Sequence, residues 1–196
     1  MRSTIRLRAK NLIVATATVG ALVALSACVK SESEPITVAD VGEPVAWGPA
    51  TTVRPLRHLW IGNQPDEAGL DAAEGAGVQV VIDLRQPDER DWDEGEAVRA
   101  RGLTYYNAPV SKDGAFSAEV FSEIENLVRS HEGEQIFLHC SSGNRAAGWL
   151  ATHLARIHEI PFDEAVAIGR RAGITKEPIV EKVAEYLGEP IPNAER

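Results

Sequence analysis

Apolar and polar positions follow two rhythms along this chain. Val78-Gln-Val-Val-Ile-Asp-Leu84 is β-branched and bounded by Gly77 and Pro87, the pattern of a buried strand. Leu103–Val110 and Gln135–Cys140 carry the same signal. Between them the period lengthens to that of a helix. Ser117–His131 places Val120, Phe121, Ile124, Leu127 and Val128 on one face. Pro65 and Asp66 suit the first turn of an earlier helix ending near Gly75, and Asp88–Arg101 forms another, mostly polar and therefore exposed. Such alternation predicts an α/β fold with a central, mostly parallel sheet and helices on both faces.

After Cys140 the pattern is wholly helical. Ala146–His158 aligns Trp149, Leu150, His153, Leu154 and Ile157, then Pro161–Ala172 follows, and Glu177–Leu187 starts at Pro178 and stops at Gly188. These stripes predict core packing by three helices.

The first thirty residues follow neither rhythm. A basic region, Met1–Lys10, precedes an apolar run, Leu12–Leu25, which is short for about 30 Å of hydrocarbon, and Leu25-Ser26-Ala27-Cys28 closes it. This predicts an export signal over 1–27. Leu-Ser-Ala-Cys also resembles the bacterial lipoprotein cleavage box, which implies a lipid on Cys28 and an exported protein anchored at the cell envelope. Residues 28–50, rich in Pro, Gly, Ser and Glu without a sustained period, then read as a tether, with the folded domain over 51–196.

The formal charge of −9 disfavours a nucleic-acid partner, which requires a basic surface. Arg2, Arg6, Arg8 and Lys10 all precede the first acid, Glu32, so the chain beyond Cys28 is more acidic than the whole. An anionic substrate must therefore be small or recognised locally. Two cysteines exclude a disulfide framework and a four-thiolate zinc site. His153 and His158 do not share a helical face at ligand spacing, and no metal or cofactor motif is present.

Candidate chemistry concentrates in Gln135-Ile-Phe-Leu-His139-Cys140-Ser141-Ser142-Gly143-Asn144-Arg145-Ala146, which passes from a strand through a polar loop into a helix. Backbone N–H groups of such a loop and of the first helical turn converge on an anion, and Gly143 permits the left-handed turn this requires. The same field favours a thiolate at Cys140 over the thiol. Arg145 adds a planar fork for two oxygens of a phosphate, sulfate or carboxylate. Ser141, Ser142, Gly143 and Asn144 become candidate substrate-binding residues. Cys140 as an inert buried hydrophobe is the plainer alternative.

The loop from His139-Cys140 to Arg145 resembles the active-site loop of cysteine-dependent tyrosine and dual-specificity phosphatases and of rhodaneses. Together with Ile61-Gly-Asn-Gln-Pro65, Val80-Val-Ile-Asp-Leu-Arg85 and Tyr105-Tyr-Asn-Ala-Pro-Val110 it is similar to the phosphatase-like domain of beta-lactamase-hydrolase-like proteins. The resemblance implies a protein tyrosine phosphatase-like fold and hydrolysis of a phosphate monoester, on a small anionic substrate or a phosphorylated side chain, with Asp113 as general acid. Two features depart from it. The loop is one residue shorter than in such phosphatases, the common rhodanese length, and Ala146 stands where Ser or Thr is usual. Sulfur transfer through a Cys140 persulfide and non-catalytic anion or protein binding are the rival expectations.

Asp113 sits in the polar loop Ser111-Lys-Asp-Gly-Ala115, where an acid catalyst and a solvated turn residue are both open readings. Asp83 and Arg85, at a strand end, either orient the loop or pair with each other. Asp88 and Glu89 fit a helix start. His139 points to the sheet face opposite Cys140 and reads as a residue supporting the loop from behind by hydrogen bonds, with a satisfied core histidine as the alternative.

Overall fold

A computed structural model describes residues 35–191; the expected signal segment, Cys28 and the first part of the tether lie outside the described residues. Among the described residues six strands form one sheet in the order β1-β2-β3-β6-β4-β5. They are β1 (Val45–Trp47), β2 (Ala50–Leu56), β3 (Leu59–Asn63), β4 (Val78–Asp83), β5 (Thr104–Asn107) and β6 (Gln135–Cys140). β1, β2 and β3 run antiparallel as a meander, whereas β3, β6, β4 and β5 are mutually parallel. The helices are α1 (Glu67–Gly75), α2 (Glu94–Ala100), α3 (Ala118–Ser130), α4 (Asn144–Ile157), α5 (Phe162–Ala172) and α6 (Glu177–Leu187). The expected α/β class, the mostly parallel sheet and the three helices after the loop are all present.

Alternation along the strands divides the core. On one face Ile61, Val80, Ile82, Ile136, Leu138 and Cys140 pack against residues of α3 to α6. On the other, Val53, Val81 and Phe137 meet Leu70 and Ala73 of α1 and Val98 of α2. Helices therefore cover both faces, four against two.

The folded unit begins before Thr51. Ile36, Val41, Trp47 and Ala50 are buried, and the Trp47 ring lies 4.9 Å from Trp60 and 5.1 Å from Phe137. Single apolar residues docked on a ready surface leave no period in the sequence, so residues 35–50 read as a tether although they fold. β2 and β3 are hidden for a related reason: β2 carries Pro55, and β3 is only five residues long.

Two elements are shorter than their patterns. The strand expected over Leu103–Val110 ends at Asn107, since Pro109 cannot donate to a ladder. Ala108 and Val110 still donate to the Asp83 and Leu84 carbonyls at 3.0 Å. The helix expected over Asp88–Arg101 is divided into a single 3-10 turn, Pro87–Glu89, and α2. Asp93 caps α2 by accepting from the Glu96 N–H at 2.9 Å, and the turn before it leaves Glu89 free to face the loop after β6.

Candidate active site

β6 enters the sheet between β3 and β4, and its C-terminal end delivers Cys140 to the edge where parallel sheets bind ligands. Cys140 is fully buried and is the free cysteine among the described residues. Ser141 and Ser142 are exposed, so solvent reaches the loop directly above the sulfur. Gly143 has φ 84°, the left-handed conformation that lets the chain turn at once into α4. A Cβ there would sit only 3.4 Å from the Gly62 carbonyl carbon, so the loop rests on the end of β3. The first N–H groups of α4 have no partner within the helix. Strand, left-handed turn and helix N-terminus thus meet at Cys140.

Arg145 stands in the first turn of α4, 5% exposed. Glu89 receives its fork at both ends, Nη1 to Oε2 at 2.8 Å and Nη2 to Oε1 at 2.7 Å. Nη1 also donates to the Val110 carbonyl at 3.1 Å, and Nη2 to the Ser141 hydroxyl at 3.2 Å. Burial alone would lower the Arg145 pKa, but Glu89 and the Cys140 sulfur more than reverse it, so the guanidinium stays charged. In Glu89 burial is likewise outweighed, by Arg145, the Gln86 N–H and the Ser141 hydroxyl, and its carboxyl is held below the ordinary range. Sequence reasoning assigned Glu89 to a helix start. The only signal for it was Pro87, which opens the short turn that aims it.

Asn144 does not face a ligand with its side chain. Its Oδ1 accepts from the backbone N–H of Thr175 at 2.9 Å and of Lys176 at 3.0 Å, while Nδ2 donates to Thr175 Oγ1 at 3.1 Å and Ser142 Oγ at 3.3 Å. The side chain is committed to holding the loop against the α5–α6 connection. Its length and amide suit that work, and nothing local in the sequence announces Thr175 as the partner.

Asp113 is exposed, and its Oδ1 accepts from the Ala115 N–H at 3.1 Å. Hydrogen bonds from Ser111 and Ala115 hold its carboxyl below the usual range. Its loop is anchored beside the site, because it follows Val110, whose carbonyl binds Arg145. Gly114, at φ 83°, presses on α6: a Cβ there would lie 2.4 Å from Ile179 Cδ1 and 3.9 Å from Arg145 Cγ.

Behind the loop lies a second polar group. Arg85 binds Asp83 through Nε and Nη2, both at 2.9 Å, also reaches Glu94 through Nη2, and donates to Gln64 Oε1 at 3.1 Å. Asp83 and Arg85 therefore pair with each other. His139 stacks on Phe137 at 5.0 Å, on the face away from Cys140, as strand alternation requires. Glu94 and Tyr105, whose hydroxyl donates to Asp83 at 3.0 Å, complete the group and were not singled out from the sequence.

Residues 41–177 match the family model described as DSP-PTPase phosphatase fused to NAD+ kinase. No curated protein matches the chain. Among solved structures, Tk-PTP in its active form is similar, with TM-score 0.57, 21% identity, and coverage of 65% of this chain and 89% of that one. A DUF442 protein from Shewanella putrefaciens CN-32 gives TM-score 0.53 and 20% identity over 76% of this chain and 95% of its own. TpbA of P. aeruginosa, in complex with phosphotyrosine, gives TM-score 0.55 and 17% identity over 71% of this chain and 85% of its own. At such identities the structures establish the fold, and the match over residues 41–177 establishes the family: this chain belongs to the DSP-PTPase phosphatases.

Proposed function

We propose that the chain hydrolyses a phosphate monoester through a Cys140 thiolate. The carrying observation is the union of Cys140, the left-handed Gly143 turn and Arg145 at the start of α4, with Arg145 fixed at both ends of its fork by Glu89.

In the first step Cys140 Sγ forms a bond to phosphorus as the bond to the leaving oxygen breaks, and Asp113 gives its proton to that oxygen. Arg145 and the loop amides of Ser141, Ser142 and Gly143 stabilise the equatorial oxygens. In the second step water attacks phosphorus, the P–S bond breaks to return the thiolate, and Asp113 takes the proton from water. Phosphate and the free hydroxyl compound leave.

The substrate class is a phosphorylated side chain or a small anionic monoester recognised at the loop. The −9 charge repels polyanions at distance, so the site itself must supply the attraction. Similarity to the beta-lactamase-hydrolase-like proteins is the finer family assignment. A lipid on Cys28, following an export signal over 1–27, would hold the domain at the bacterial cell envelope, without nucleic acid as a partner.

Purified full-length protein should release phosphate from an aryl phosphate, and Cys140→Ser should abolish release while the circular dichroism spectrum is unchanged. Thiosulfate and cyanide in a parallel assay should give no thiocyanate. Turnover that survives Cys140→Ser, or thiocyanate formed in place of phosphate, would sink this assignment.

A further inference from the structure

The group behind the catalytic loop has an unbalanced charge count. Asp83, Arg85 and His139 are fully buried and Glu94 is 1% exposed. Arg85 supplies one permanent positive charge to two carboxylates, pairing with both. Tyr105 contributes a neutral hydroxyl, and Gln64 a neutral amide. Arg90, half-buried, reaches the Tyr105 hydroxyl from the rim of the group. Among the fully buried described members, the remaining one able to carry a second positive charge is His139.

Its geometry fits that role. Nε2 lies 2.7 Å from Glu94 Oε1, and Nδ1 lies 4.0 Å from Asp83 Oδ1. The shorter contact lacks the alignment of a hydrogen bond, and neither ring nitrogen nor Glu94 Oε1 has another partner. Charge attraction is thus what joins them. A neutral ring would turn a lone pair toward one of the two carboxylates, whereas an imidazolium presents an N–H to each. Buried unpaired charge is costly, so a group of two acids and one Arg is stable here when a second cation closes it.

We propose that Glu94 and Asp83 keep His139 as an imidazolium, and that Glu94 thereby acts as a positioning residue for the Cys140 loop. His139 directly precedes Cys140, and its backbone carbonyl accepts from Leu84 N–H at 2.9 Å. Glu94 is the first residue of α2, Asp83 the last of β4, Tyr105 belongs to β5, and Gln64 follows β3. One proton therefore ties α2 and β4 to the strand end that carries the nucleophile, while Tyr105 and Gln64 join the group through Asp83 and Arg85. Burial and the Arg85 charge disfavour the charged ring, but Glu94 and Asp83 outweigh them and raise its pKa. The bound proton stabilises the fold fully below the unfolded value of about 6.5, and that contribution is lost as pH rises through the raised folded value.

A divalent cation is the rival occupant, since ligand atoms of Asp83, Glu94 and His139 all lie within 4.8 Å of one another. With Arg85 inside the group, a dication would leave a net positive charge, whereas the proton leaves none.

Nitrogen-15 NMR of histidine-labelled wild-type full-length protein tests this, the His139 signals being assigned by their loss in His139→Asn. Both ring nitrogens should show the imidazolium pattern at pH 7.5. Glu94→Gln should turn His139 neutral at that pH, and Glu94→Asp should restore part of the charged signal. The catalytic consequence rests on the function proposed above: Glu94→Gln should move the alkaline limb of kcat to lower pH by at least about one unit, with KM little changed. Alkylation of Cys140 by iodoacetamide, followed across the same pH range, reads the loop even if no phosphatase turnover is found. A neutral His139 in the wild-type protein at pH 7.5, stoichiometric metal by elemental analysis, or pH profiles unchanged by Glu94→Gln would overturn the proposal.

Discussion

Arg145 and Glu89 meet end to end, with both oxygens of one carboxylate on both terminal nitrogens of one guanidinium at 2.7 and 2.8 Å. The contact joins α4 to a single helical turn on the far side of the loop, so it fixes the plane of the group that would hold phosphate oxygens. Glu89→Gln keeps the size and removes the charge. Losing a hydrogen-bonded charge partner costs about 1–3 kcal/mol, so kcat should fall roughly 10- to 100-fold in steady-state assays of an aryl phosphate.

The same pair makes a prediction about acid stability. Because the folded Glu89 carboxyl lies below its usual range, its contribution is present above the unfolded value near 4.3 and is lost as pH falls through the folded one. Urea midpoints measured from pH 6 to pH 3 should drop more steeply for the wild-type protein than for Glu89→Gln. Parallel curves would show that Glu89 does not carry the effect.

Asn144 gives a different kind of test, because its side chain touches structure. Asn144→Ala removes the hydrogen bonds to Ser142, Thr175 and Lys176 and hands two backbone N–H groups to water. Denaturation should show a loss of about 1–3 kcal/mol. Turnover should fall as well, since the loop is no longer held to the α5–α6 connection. Full activity with reduced stability would confine Asn144 to the fold.

Gly143→Ala isolates the backbone turn. Space is ordinary around the added Cβ, but φ 84° is disfavoured for any residue with a side chain. A cost of about 1–2 kcal/mol is expected, and phosphate affinity should weaken because the amides re-aim. Isothermal titration with inorganic phosphate reads this directly, and unchanged affinity would mean that the amides are not the binding groups.

Asp113→Asn should matter in proportion to the basicity of the leaving group. An alkyl or phenyl phosphate needs a proton at its leaving oxygen, and a nitrophenyl phosphate hardly does. Since hydrogen bonds hold the free Asp113 carboxyl low, its protonated fraction falls as pH rises, and kcat/KM for basic leaving groups should decline with it. Equal losses across a series of leaving groups would assign Asp113 to the turn alone.

How much of this was legible beforehand depended on the range of each interaction. Cys140, Gly143 and Arg145 declare themselves because a strand, a turn and a helix start follow within a few residues of one another. Val78–Leu84 and the stripe Phe121-Ile124-Val128 are legible because burial repeats with a fixed period. Glu89 and Glu94 were hidden, since each acts on a residue about fifty positions away and locally resembles any acid near a helix start. Trp47 was hidden because it docks alone into a surface built by Trp60 and Phe137.

The seating of Gly114 on Ile179 has a kinetic meaning. A segment already resting on the buried Ile179 side chain of α6 has no open position to swing from on that side, so the lip of the site is built before any substrate arrives. A preset rim predicts turnover limited by chemistry or by departure of product rather than by a closing flap. α6, far along the chain from Asp113, thus backs the site's rim, and trimming Ile179 to Ala should loosen that rim and change how quickly the site exchanges its contents.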